Sequence, residues 1–76
     1  MDKLDIQNSR FTVELEQETD GRWIADVQEL PGAMVYGQTR EAALAKAEAL
    51  ALRVVADQLE AGEKTPGLTS VAFNLA

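Results

Sequence analysis

Apolar and polar residues alternate along Phe11-Thr12-Val13-Glu14-Leu15-Glu16, the pattern of a half-buried strand with Phe11, Val13 and Leu15 on its apolar face. A second run, Trp23 to Gln28, follows the turn signal Thr19-Asp20-Gly21, and side-chain parity decides how the two strands pair. A two-residue Asp-Gly loop would set Leu15 opposite Asp26 and mix the faces. A three-residue loop, with Gly21 in the left-handed conformation of a glycine bulge, sets Leu15 opposite Ala25 and Val13 opposite Val27. The second register is the one expected, and it leaves Ile24 and Asp26 with Glu14 and Glu16 on the other, mostly polar face. Leu30-Pro31-Gly32 has the proline and glycine of a type II turn, and Ala33 to Gln38 makes a short third strand that completes a meander.

Helical spacing takes over after Gly37, which is expected to bend the chain out of the sheet. Thr39 is placed to cap a helix that starts at Arg40, has Glu41 in its first turn and runs to about Ala61, where Gly62 stops it. Thr65-Pro66-Gly67 prevents its resumption before a last strand, Thr69 to Leu75, in which Val71, Phe73 and Leu75 alternate with Ser70, Ala72 and Asn74. Residues 1–9 read as a loosely ordered terminus. Ala43, Leu44, Ala47, Leu50, Ala51, Val54 and Val55 form the stripe expected to lie on the sheet, with Lys46, Arg53, Asp57 and Glu60 on the opposite side. A second strip, Ala45, Ala49, Leu52, Ala56 and Leu59, makes the apolar arc wider than one sheet contact needs. It reads either as a dimer contact, where alanines permit close helix approach, or as alanine used for helix propensity; Leu52 and Leu59 favour the contact.

Strand, strand, strand, helix, strand is an α+β order for a single domain over residues 1–76. If the last strand lies beside the first, the right-handed crossover rule makes it parallel there and gives the spatial order three, two, one, four.

Composition narrows the chemistry. A 76-residue chain is near the lower size for an independent core, so self-association is expected, with a dimer favoured. Thirteen acidic residues against 7 basic ones, net charge -6, oppose nucleic-acid binding and suit a basic partner. The chain has no cysteine and no histidine, which removes thiolate chemistry, the commonest metal ligand and the commonest general base. No stretch approaches the roughly twenty apolar residues of a membrane span, and no secretory signal is recognisable, so a cytoplasmic protein without membrane contact is expected.

Glu14, Glu16 and Asp26 are the richest polar cluster. Two-metal nuclease chemistry needs more carboxylates, converging from neighbouring strands and a helix, whereas the last strand offers Asn74; a solvated acidic face is the favoured reading, and no catalytic, metal or cofactor residue is assigned. Trp23 could stack on a base, but its apolar same-face neighbours and the lack of a basic groove favour a place at the core edge. Gly32 and Gly37 fit no phosphate-binding fingerprint. Met34 and Tyr36 share a face of the third strand, and Ile24 extends it. Rimmed by Glu16, Asp26 and Glu29, this patch would suit a basic partner with an apolar anchor, although exposed apolar residues are common on small sheets.

Several segments together resemble the HicB antitoxin family: the opening strand Phe11 to Leu15, Asp20-Gly21 with Trp23, Leu30-Pro31-Gly32, Gly37 to Thr39 with Glu41-Ala42, and the closing strand Val71 to Leu75. The spacing from Leu-Pro-Gly to Gly-x-Thr is the most specific part, and Ala33 stands where the family often has cysteine. The resemblance implies a truncated, partial RNase H-like fold and a non-enzymatic antitoxin that binds a small basic HicA-type toxin and blocks its messenger-RNA cleavage. An orphan, self-associating HicB-like module is the alternative. Many members carry a further DNA-binding segment; none is recognisable here, so no DNA binding by this chain alone is expected. Glu16, Ile24, Asp26, Met34 and Tyr36 are the expected partner-facing residues, none taken from a family motif.

Overall fold

A computed structural model describes residues 8–62 and 70–76. Its elements are β1 (Asn8–Gln17), β2 (Trp23–Val27), β3 (Met34–Gly37), α1 (Arg40–Glu60) and β4 (Ser70–Leu75). They form an α+β fold, a four-stranded mixed sheet in the order β3-β2-β1-β4 with one helix. β1 runs antiparallel to β2 and parallel to β4, as the crossover argument requires.

The hairpin has the register expected from parity: Leu15 pairs with Ala25 and Val13 with Val27. Glu18 N–H donates to Arg22 C=O at 2.7 Å and Gly21 N–H to Glu18 C=O at 2.9 Å, closing a three-residue loop. Gly21 has φ +95°, the left-handed conformation that the bulge demands. The second turn is type II in its hydrogen bond, Ala33 N–H to Leu30 C=O at 2.9 Å, and in its φ of +80° at Gly32.

Strand limits differ from expectation in instructive ways. β1 begins at Asn8, so Asn8 and Ser9 belong to the sheet; parallel pairing with Ser70 and Val71 supplies hydrogen bonds that local propensity did not advertise. β2 ends at Val27 because the chain turns there, Leu30 N–H bonding Val27 C=O at 3.0 Å. The Glu29 carboxylate then takes the Thr12 N–H, at 2.7 Å, and the Thr12 hydroxyl, at 2.8 Å. β3 is trimmed to four residues. Residues 1–7, the Thr65-Pro66-Gly67 signal and Thr69 lie outside the described residues.

Thr39 caps α1 as expected: its extended backbone leaves the hydroxyl to accept the Ala42 N–H at 3.0 Å. The helix buries Ala43, Ala47, Ala51 and Val55, a row at four-residue spacing. Such a row winds slowly around the helix, so its next member, Leu59, packs against the core, while Leu50 and Val54 fall on its flank and stay half-buried. This moves Leu59 out of the second apolar strip and into the sheet contact.

At Gly37, where the chain leaves the sheet and bends into the helix, space is the tighter demand. A Cβ there would lie 2.4 Å from Ala43 N and 2.8 Å from Ala43 Cα, so only glycine lets the helix start approach the end of β3 this closely. Across the sheet the core is completed by Phe11, Val13, Ala25 and Val27, with Phe11 stacked on Phe73 at 5.7 Å between ring centroids. Trp23 is half-buried against this cluster, the core-edge position expected for it.

Candidate partner-binding face

Register on both sides of β2 decides which side chains meet on the sheet face away from α1. Glu16 pairs with Ile24 and Ile24 with Tyr36, forming one cross-strand rank. Glu14 pairs with Asp26 and Asp26 with Met34, forming the next. All five expected partner-facing residues, Glu16, Ile24, Asp26, Met34 and Tyr36, therefore lie together on one face, with Glu14 as a sixth member.

Exposure within this group is uneven. Met34 is 56% and Tyr36 42% exposed, while Ile24 and Asp26 between the outer strands are half-buried. Arg22 lies over the Tyr36 ring, its guanidinium carbon 4.5 Å from the centroid, and its Nε bonds Asp20 at 2.8 Å. Tyr36 is thus held from one side and open from the other. The Arg22 backbone N–H, followed by its guanidinium, holds the Asp20 carboxyl below the usual carboxylate range.

The acidic rim separates into two functions. Glu29, expected at its edge, is committed to Thr12, whose backbone N–H is the main cause of a carboxyl pKa below the ordinary range, with the hydroxyl adding to it. Glu14, Glu16 and Asp26 have no such engagement. Among the described residues no cation lies within ion-pair distance of them, and Glu14 stands directly opposite Asp26. Like charges in directly opposed positions destabilise a sheet slightly, so this pairing costs the isolated chain and favours a positive group arriving from outside. The same carboxylates do not gather around a point: among the described residues no group of three or more acidic side chains could hold a metal ion. Asn74, exposed on β4 of the same face, adds an amide and no charge.

The residues of the helix strip sit elsewhere. Leu52 is 46% exposed, Ala45 and Ala56 are exposed and Ala49 is half-buried, leaving one large apolar side chain on that surface once Leu59 is assigned to the core. Sequence reasoning overlooked two contributors to the open face: Arg22, whose stacking on Tyr36 needs the hairpin and β3 side by side, and the commitment of Glu29, whose partner is seventeen residues away.

Among the described residues no helix is long and apolar enough to cross a membrane. Comparisons with protein-family models, curated proteins and solved structures find no match.

Proposed function

We propose that this chain is an antitoxin of the HicB type, which binds a small, basic, messenger-RNA-cleaving toxin of the HicA type by protein–protein contact and silences it in the cytoplasm. The observation that supports this reading is the open sheet face: Met34, Tyr36 and Ile24 offer an apolar anchor, and Glu14, Glu16 and Asp26 surround it with charge that nothing in the described chain neutralises. A partner with an apolar side chain amid lysines or arginines would gain burial at the centre and attraction at the rim. The net charge of -6 would speed and orient its approach. The chain acts as a binding protein, without cofactor or catalytic step, and HicB-like partial RNase H-like ancestry accounts for the strand order.

The test is co-purification with the product of an adjacent small basic reading frame, followed by RNA cleavage by that product with and without this chain. A stoichiometric complex that stops cleavage is expected. Tyr36→Ala should weaken the complex by about tenfold or more and Asp26→Lys by a comparable factor, with the fold unchanged by circular dichroism. A complex indifferent to both substitutions would remove this face from the proposal. No complex at all would favour the orphan self-associating module, for which exposed Leu52 is the specific observation.

A further inference from the structure

The two edges of the sheet are protected unequally. β3 is only four residues long and has the outward carbonyl of Tyr36 covered by the Lys46 ammonium at 3.0 Å. Short length and lysine are among the devices by which proteins keep an edge strand from pairing with another chain. β4, at the other edge, has none of them: Ser70–Leu75 is uncharged and free of proline, and no described element pairs with its outer side.

Backbone orientation along β4 follows from one hydrogen bond. Ala76 N–H donates to Val13 C=O at 3.0 Å, and Val13 is the register partner of Leu75. In a parallel pair, this directs the main-chain groups of Ala72 and Asn74 toward β1 and those of Val71, Phe73 and Leu75 outward. The same three residues hold their apolar side chains on the helix side, where Val71 and Phe73 are half-buried and Leu75 is 48% exposed. Outward-directed residues pair only with outward-directed residues. A second β4 laid antiparallel therefore matches Val71, Phe73 and Leu75 with the same set, joins their apolar side chains on one face and leaves Ala72 and Asn74 together on the other.

Charge selects the same surface. A chain of net charge -6 repels its own copy wherever acidic residues would meet, as they would across Glu14, Glu16 and Asp26 or across Asp57 and Glu60 on the outer helix. β4 has no acidic residue to oppose a copy. We infer that two copies of this chain join β4 to β4 in antiparallel pairing about a two-fold axis normal to the sheet, giving a continuous sheet with both helices on one side. The inference stands apart from the antitoxin reading, because Tyr36 and Met34 lie on the opposite edge strand.

Light scattering on the full chain, with far-UV circular dichroism as a check on folding, tests the pairing. The wild type should show twice its 8.3 kDa mass. Val71→Pro removes an N–H that points away from β1, so it spares the ladder inside the chain and interrupts the one between copies; the monomer mass is expected with the dichroism spectrum retained. Asn74→Lys, at an exposed position, brings lysines toward the partner copy and should weaken association roughly tenfold. If Val71→Pro loses the folded spectrum, Asn74→Lys alone decides. A monomeric wild type, a dimer that survives these substitutions, or a dimer dissolved only by Leu52→Glu would overturn the inference, the last by placing the contact on the helix.

Discussion

On the helix side of the sheet the residues withdrawn fully from water are small, among them Ala25, Ala43, Ala47 and Ala51, and the largest of them are Val13 and Val27. On the open side stand Ile24, Met34 and Tyr36, all bulkier, with Met34 and Tyr36 substantially exposed. Burial of large side chains is the usual source of stability in a small domain, and here buried Phe11, stacked on Phe73, with half-buried Leu15, Trp23 and Leu59, supplies it around a centre of small residues. Small residues at that centre let helix and sheet approach closely, while Ile24, Met34 and Tyr36 lie outside the cluster that joins them. The two faces thus differ in what a substitution should do.

The largest effect is expected at Gly37, where the end of β3 lies against the helix backbone. Gly37→Ala sets a methyl group against the Ala43 backbone, which has no flexible end to move aside, and should cost about 3 kcal/mol. Urea unfolding would show this as a lower midpoint at constant slope. A cost below about 1 kcal/mol would mean that the helix slides outward freely, and proximity would then not explain the small core.

Much of the frame was legible because it is local or periodic. Parity across a three-residue loop determined the β1–β2 register, Thr39 and Gly62 marked the helix ends, and crossover chirality gave the parallel pairing and the order three, two, one, four on the condition that the last strand lies beside the first. What escaped depends on contacts distant in sequence. The role of Gly37 is set by Ala43 after the chain has turned, the start of β1 by a strand some sixty residues later, and the place of Leu59 by the line along which the helix crosses the sheet. The five residues expected to meet a partner do share one face of the sheet, since strand parity alone puts them together; the separate fate of Glu29 required the turn that ends β2.

That turn supplies the next prediction, at the end of the sheet where the two faces meet. The folded carboxyls of Glu29 and Asp20 both lie below their ordinary values, so each contributes stability that is complete above the unfolded pKa and is lost as pH falls through the folded one. Glu29→Gln keeps the shape and removes the charge; because solvent screens these exposed groups, it should cost no more than about 0.5–1 kcal/mol at neutral pH. Unfolding measured from neutral to acidic pH should show the variant and wild type converging below the ordinary carboxylate range. A constant difference across that range would assign the loss to shape, not to the charge-assisted bonds from Thr12.

The smallest effect is expected at Met34. Its side chain is 56% exposed and lies outside the cluster that joins helix to sheet, so Met34→Ala removes little buried area and should change stability by less than about 0.5 kcal/mol. The same urea titration that registers Gly37→Ala would resolve this difference. A loss of about 2 kcal/mol would mean that the open face carries core-like packing and that its bulk serves the fold. Near-neutrality in the isolated chain, together with weaker capture of a basic partner, would instead separate the residues that hold the sheet to its helix from those kept available on the other side.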